Sequence, residues 1–375
     1  MLRFTARGRT EQADLRADEA FVEHLAGLWP RACEGAGLYH RIDTVSGPTI
    51  RTPDLLDITL GPPLIFVIRL LPGQLPDDVG KVVRRLAAPF SAYTARITPL
   101  PGMRVRVEFI AADPLTATVP LVYPTGGRTF IGVDEAGTEI VDDWTVMPHV
   151  IVQGVTRSGK SGWLYAQLAQ LARRPHTLIA GSDPSGLLWR PWQRRWGHDW
   201  RVCGLADLQA HARLLDALVA DMDRRIHRLP ADRDTAELGP DNPLLVIVLE
   251  EYPGLLRAAE STDRKLLQRI KAAVGRLAAE SHKAGIRLVL VAQRAESTVI
   301  DGFVRAMCGY RVSFRVDGRD SLQMLHPSTA VEYLDEHLTA APGVALVTAP
   351  GRDLARIRGP WIGTYGDYAA AVTGH

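Results

Sequence analysis

"HVIVQGVTRSGKS", residues 149–161, decides how this chain is read. Val150, Ile151 and Val152 form a short β-branched run, the composition of a strand buried on both faces. Gly154 to Ser161 then matches G-x-x-x-x-G-K-S, and "GWLYAQLAQLARR" after it has the apolar spacing of a helix. Strand, glycine loop and helix in that order build an anion site, because backbone N–H groups converge at the positive end of the helix dipole. Gly154, Val155, Thr156, Arg157, Ser158, Gly159, Lys160 and Ser161 are therefore the nucleotide-binding candidates, with Lys160 reaching the β- and γ-phosphates and the Ser161 hydroxyl ligating Mg²⁺. Only five of the 44 Lys and Arg residues are lysines, so an ammonium at position 160 suggests a need for a compact charge.

Working outward, "HTLIA", "LLVIVL", "RLVLVA" and "RVSFRV" are further buried-type strands, separated by helices with Leu214, Leu218, Met222 and Ile226, or Leu266, Ile270, Val274 and Leu277, on one face. This alternation predicts an α/β fold with a mostly parallel sheet covered on both sides. "LLVIVL" runs into Glu250 and Glu251. A phosphate loop needs a carboxylate at the end of a neighbouring strand to hold Mg²⁺, which Glu250 supplies, while Glu251 is placed to polarise the attacking water. Gln293, at the end of "VAQR", is expected to sense the γ-phosphate or orient that water. With Lys160, these two make the catalytic set, and Ser161 and Glu250 make the Mg²⁺ set.

The amino-terminal part is less patterned. Residues 1–60 read as a helix around "DEAFVEHLAGLWPRAC", interrupted at Pro30, followed by short extended pieces. Residues 61–118 read as a small α+β unit of order β-α-β-β, with Val79, Val82, Val83 and Leu86 on one helical face and Val105, Val107 and Phe109 alternating with charged residues. "YPTGGRTFIGVDEAGTE" is a turn-rich hairpin leading into the last domain, residues 119–375.

With 375 residues and 46% hydrophobic content, the chain can bury a large core over two or three domains. A net charge of +2 is too weak a bias to indicate a nucleic-acid partner. Three widely spaced cysteines give neither a disulfide framework nor a zinc site and suit a reducing cytoplasm, and no stretch has the length and apolarity of a signal peptide or membrane span.

On these motifs the chain resembles the FtsK/SpoIIIE DNA-translocase motors of the HerA/FtsK group of P-loop ATPases. "MPHVIVQGVTRSGKS", "GSDP", "DMDRRI", "AGIRLVLVAQR", "RVSFRV" and "PGVALVTAPGRDLARIRGPWIG" carry the resemblance over about residues 61–365. Within the group it is most similar to short FtsK-type transfer proteins of actinobacterial conjugative elements. The resemblance implies a RecA-like core of the additional-strand type, preceded by a counterpart of the FtsK α-domain. It implies ATP and Mg²⁺ as cofactors, a homo-hexameric ring moving double-stranded DNA in plasmid or integrative-element transfer, a cytoplasmic setting, and a membrane-anchored partner that recruits the chain. Absent membrane spans and an absent winged-helix domain argue against chromosome segregation. Two further departures stand out: the family's Asp-Glu pair is here Glu250-Glu251, and an arginine acting across the subunit boundary is replaced by His282, followed by Lys283. Lys283, Arg276 and Arg315 are the alternatives for that trans-acting role. Rival readings are a protein-export motor of the type VII secretion kind and a nucleotide-binding scaffold with little hydrolysis.

Trp189, Trp192, Trp196 and Trp200 among Arg190, Arg194 and Arg195 are expected to pack on the core or an interface rather than stack on bases, since a duplex motor need not unstack them. Arg224, Arg225 and Arg228 read as a solvated or intersubunit face, or as contacts to DNA phosphates in a pore. His149 and His211 lack metal-ligand spacing.

Overall fold

The computed structural model describes residues 3–6, 12–45, 47–194, 200–295 and 300–374. They fall into two compact units, Met1–Pro114 with Glu135–Thr138, and Leu115–Asp134 with Glu139–His375.

The first unit opens with β1 (Arg3–Ala6) and α1 (Gln12–Ala36) and continues through the hairpin β2 (His40–Thr44) and β3 (Gly47–Arg51). It then runs β4 (Asp54–Leu60), β5 (Ile65–Arg69), α2 (Pro76–Ala87), β6 (Thr94–Leu100) and β7 (Arg104–Ile110). The β-α-β-β order is present, but the boundary at residue 60 does not separate two bodies. β4 pairs antiparallel with β5 inside one sheet of order β1-β4-β5-β7-β6. Ile58 is buried in the same core as Phe66, Ile68, Val105 and Phe109, so neither segment hides its apolar face without the other.

Helix α1 also differs from expectation, because Pro30 lies inside it rather than interrupting it. An interior proline removes a hydrogen bond and costs about 3 kcal/mol. Here tertiary burial outweighs that cost: Leu25, Trp29, Ala32, Cys33 and Ala36 form one continuous buried face across the proline. The Trp29 indole N–H donates to the Pro53 carbonyl at 2.8 Å, and its ring meets Phe66 edge-on at 5.7 Å.

The second unit begins with β8 (Val119–Pro120), the hairpin β9 (Thr129–Asp134) and β10 (Glu139–Asp142), then β11 (Val150–Gln153), α3 (Lys160–Arg173) and β12 (Thr177–Asp183). β13 (Arg201–Cys203), α4 (Leu208–His227), β14 (Leu244–Leu249), α5 (Tyr252–Thr262), α6 (Arg264–Glu280) and β15 (Ile286–Ala292) follow. It closes with α7 (Gly302–Met307), β16 (Tyr310–Phe314), α8 (Arg319–Leu325), α9 (Val331–His337), β17 (Val344–Ala349), β18 (Arg352–Arg358), β19 (Pro360–Trp361) and α10 (Tyr365–Thr373).

Ten of these strands form one sheet of order β10-β9-β18-β17-β16-β11-β15-β14-β12-β13. From β16 to β13 every pairing is parallel, while β17, β18, β9 and β10 extend the sheet with antiparallel pairings. Successive strand residues go to opposite faces, as the pleat requires. Leu245, Ile247 and Leu249 pack with α4, α5 and α6, whereas Leu244, Val246 and Val248 share the core of α3 and α10.

The tryptophan segment behaves as a packing element where it is described. Trp189 and Trp192 are buried against each other, the Trp192 indole N–H donates to the Tyr368 hydroxyl at 2.7 Å, and Trp200 lies against the other core. Arg195 and Trp196, and the side chain of Arg194, lie outside the described residues. Among the described residues no helix is long and apolar enough to cross a membrane.

Candidate nucleotide-binding site

The glycine loop leaves β11 at the carboxyl edge of the sheet and turns directly into α3. Two glycines are required for different reasons. A Cβ on Gly154 would lie 2.5 Å from Ser158 Oγ and 2.7 Å from Phe314 Cβ, so the loop folds back on itself only without a side chain there. Gly159 has φ +103°, and a Cβ on it would lie 2.4 Å from the Gly343 backbone nitrogen. That close approach lets the Gly343 N–H donate to Ser158 O at 2.8 Å, while the Val155 N–H donates to Arg315 O at 2.9 Å. The loop is thus held from outside, and the first-turn N–H groups of α3 have no intrahelical acceptor.

Gly154 through Gly162 line a cavity of about 350 Å³ together with Glu250, Glu251 and Gln293. The strand order explains the meeting: β15, which ends before Gln293, lies between β11 and β14, and β14 ends before Glu250. All eight loop candidates and the three predicted strand-end residues therefore converge on one space.

The charges in this space are mutually constrained. Lys160 is buried, with Nζ 3.8 Å from Glu251 Oε2. Glu251 takes a left-handed conformation at φ 45°, and its N–H donates to Glu250 Oε2 at 2.8 Å. Burial pushes the Glu250 carboxyl above its ordinary range; Lys160 and the Glu251 N–H pull it back, while the charges of Asp183 and Glu251 add to the rise. A divalent cation beside Glu250 would relieve this, since a nearby positive charge favours the carboxylate. The oxygen donors also fit Mg²⁺, which takes one or two carboxylates, a hydroxyl and phosphate oxygens. Ser161 and Glu250 are the residues that would hold it.

Two features escaped the sequence reading. Asp183 is fully buried, accepting from Ser185 N–H at 2.7 Å, Ser185 Oγ at 2.8 Å and Leu188 N–H at 2.8 Å, so its charge is spent on shaping the loop after β12. Gln153 is also fully buried: Nε2 donates to Ser313 Oγ at 2.9 Å and Ser321 O at 2.8 Å, and Oε1 accepts the Ala295 N–H at 3.0 Å. It ties the root of the phosphate loop to the segment carrying Gln293. Partners 142 to 168 residues apart give no local signal.

The four trans-acting candidates lie outside the cavity lining. Arg276 is bound to Asp223 and Glu280 on the surface. His282 packs edge-on to His149 at 6.0 Å, and burial together with Arg287 lowers its pKa, keeping it neutral. Lys283 is exposed and Arg315 half-buried, and neither makes an ion pair among the described residues. Arg224 and Arg225 both bind Asp221, and Arg225 also donates to the Pro243 carbonyl at 2.7 Å.

Strand order and site together define a P-loop ATPase with an additional strand between the loop strand and the carboxylate strand. Transfer protein TraSA of Streptomyces ambofaciens is 30% identical over 327 residues, covering 79% of this chain and 76% of that protein. The chain belongs to the FtsK-type transfer protein family that includes TraSA. DNA translocase FtsK of Campylobacter jejuni is 26% identical over 246 residues, and the match covers 62% of this chain but only 24% of that relative. The chain therefore spans about a quarter of the length of the Campylobacter translocase. Among solved structures, the pCW3 conjugation coupling protein TcpA, in its monomer form with ATPγS, shares the fold at TM-score 0.57 and 16% identity, covering 92% of this chain and 98% of its own. EssC (ATPases 2 and 3) from Geobacillus thermodenitrificans shares it at TM-score 0.56 and 13% identity, covering 68% of this chain and 50% of its own. No family model matches the chain.

Proposed function

We propose that this chain is an ATP-driven motor that assembles as a ring, a homo-hexamer in the family's usual form, and moves double-stranded DNA during transfer of a plasmid or integrative element. The observation that carries the reading is the convergence of Lys160, Ser161, Glu250, Glu251 and Gln293 on one cavity at the amino end of α3. FtsK is named a DNA translocase and TraSA a transfer protein, which supports DNA as the substrate.

Lys160 binds the β- and γ-phosphates, exchanging its contact with Glu251 for phosphate oxygens. Ser161 and Glu250 would hold Mg²⁺, which when bound would supply charge neutralisation at the phosphate oxygens. Glu251, released from Lys160, accepts a proton from the attacking water, and Gln293 orients that water. Catalysis is positioning and charge stabilisation, with no covalent intermediate. Arg315 and Lys283, which have no carboxylate partner among the described residues, are the favoured groups for reaching a neighbouring subunit's nucleotide. The first unit is read as the α-domain counterpart. A cytoplasmic location fits the three free cysteines, and recruitment by a membrane-anchored partner is what the family resemblance implies.

Steady-state ATP hydrolysis tests the reading. The wild type should turn over ATP and be stimulated by linear duplex DNA, with Lys160→Ala and Glu251→Gln inactive. Turnover without DNA stimulation at low salt would point to an export motor, and nucleotide binding without turnover to a scaffold.

A further inference from the structure

The phosphate-loop cavity has no aromatic side chain in its lining on which a nucleotide's base could stack. At about 350 Å³ it is bounded by loop backbone, a lysine, hydroxyls, two carboxylates and an amide. With Lys160 directed to the β- and γ-phosphates, the α-phosphate, ribose and base extend toward Ser161 and Gly162, where the chain of N–H groups ends. Beside Gly162 stands Trp361. A Cβ on Gly162 would lie 3.5 Å from Trp361 Cζ3 and 3.8 Å from Cε3, so the six-membered ring of the indole lies against Gly162, which itself lines the cavity.

Trp361 is 54% exposed, whereas Trp29, Trp144, Trp163, Trp189 and Trp192 are all buried. The Trp361 backbone is fixed on both sides. The Leu121 N–H donates to Trp361 O at 3.0 Å, and two residues earlier the Gly359 N–H donates to Gly343 O at 2.8 Å. Gly343 is the residue that abuts Gly159, so the indole is registered to the phosphate loop through a single backbone bridge. Three residues before the indole, the Arg358 guanidinium lies against Gly343, donates to Pro342 O at 2.7 Å and has no carboxylate partner among the described residues. The structure thus offers an exposed π-face on a backbone held at both Gly359 and Trp361.

We infer that Trp361 is the platform on which the heterocyclic base of the bound nucleotide stacks, with Gly162 leaving the space through which base and ribose reach it. The inference rests on the nucleotide reading of the cavity. A stacked base loses about 5- to 100-fold in affinity when its aromatic platform is truncated to alanine.

The test is equilibrium binding of Mg-ATPγS and of Mg-tripolyphosphate, which carries the phosphates without a base, to the full chain. Trp361→Ala should weaken ATPγS by about 5- to 100-fold while leaving tripolyphosphate within about 2-fold, and Trp361→Phe should recover most of the loss. Wild-type ATPγS affinity in Trp361→Ala would overturn the inference. Equal weakening of both ligands would also overturn it, because the indole would then be a prop for the loop. If the wild type bound neither ligand, the nucleotide reading itself would fall.

Discussion

Replacing Gly159 by alanine separates the geometric requirement of the phosphate loop from a general tolerance of the fold. At φ +103° an L-residue is strained by about 1–2 kcal/mol. The new Cβ would also lie 2.4 Å from the Gly343 nitrogen and 2.6 Å from its Cα, both backbone atoms that cannot rotate away. Separating the two loops breaks the 2.8 Å bond from Gly343 to Ser158, worth about 1 kcal/mol. The sum is a destabilisation of about 2–3 kcal/mol, or a fall in Tm of roughly 4–12 °C. Gly275 provides the opposite case. It lies inside α6 with nothing within 4 Å of its Cβ direction, so Gly275→Ala should stabilise by about 0.5–1 kcal/mol. Thermal unfolding of both variants, with ATPγS binding alongside, checks the argument. Gly159→Ala should unfold early and lose nucleotide affinity, and Gly275→Ala should melt late and bind normally. A Gly159→Ala protein with wild-type Tm and affinity would refute the steric reasoning.

Other outcomes rest on the same geometry. The Glu250 carboxyl is raised in the folded state, so it costs stability progressively as pH climbs from the ordinary carboxylate range to that raised value, and in full above it. Glu250→Gln should therefore raise Tm at neutral pH, lose that advantage as pH falls into the ordinary carboxylate range, and lack Mg-dependent turnover; an unchanged Tm difference across pH would contradict this. Gln153→Ala takes the Gln153 acceptor from the Ala295 N–H in the interior, at a cost of about 1–3 kcal/mol, and hydrogen exchange at Ala295 should accelerate. Unchanged protection there would show that the amide is held by something else. Arg315→Ala should reduce ATP turnover by at least about 10³-fold with ATPγS binding retained, while Arg276→Ala, removing only a surface ion-pair cluster, should change stability by less than about 1 kcal/mol and leave turnover intact. The reverse ranking would move the trans-acting role to Arg276.

The sequence is most legible where chemistry and local geometry coincide. Lys160 and Ser161 are fixed by a loop whose glycines are demanded by its own turns, and Glu250, Glu251 and Gln293 are placed by the ends of uninterrupted apolar strands. The parallel core comes from the same apolar runs. Its antiparallel extension through β17, β18, β9 and β10 is harder to read, because short strands beside turns look alike whichever neighbour they pair with. Pro30 misleads because local propensity says break, whereas the buried face from Leu25 to Ala36 runs through it. Gln153 and Trp361 lie beyond local pattern altogether. One is a polar residue whose partners are more than a hundred residues away, and the other an aromatic whose exposure is visible only in three dimensions.

Movement along DNA is the central claim, and displacement of a third strand tests it directly. A triplex-forming oligonucleotide placed on a linear duplex should be released by this protein with Mg-ATP, and not with ATPγS or by Lys160→Ala. Release that is independent of ATP hydrolysis, or none from a protein that hydrolyses ATP on the same duplex, would contradict the motor account.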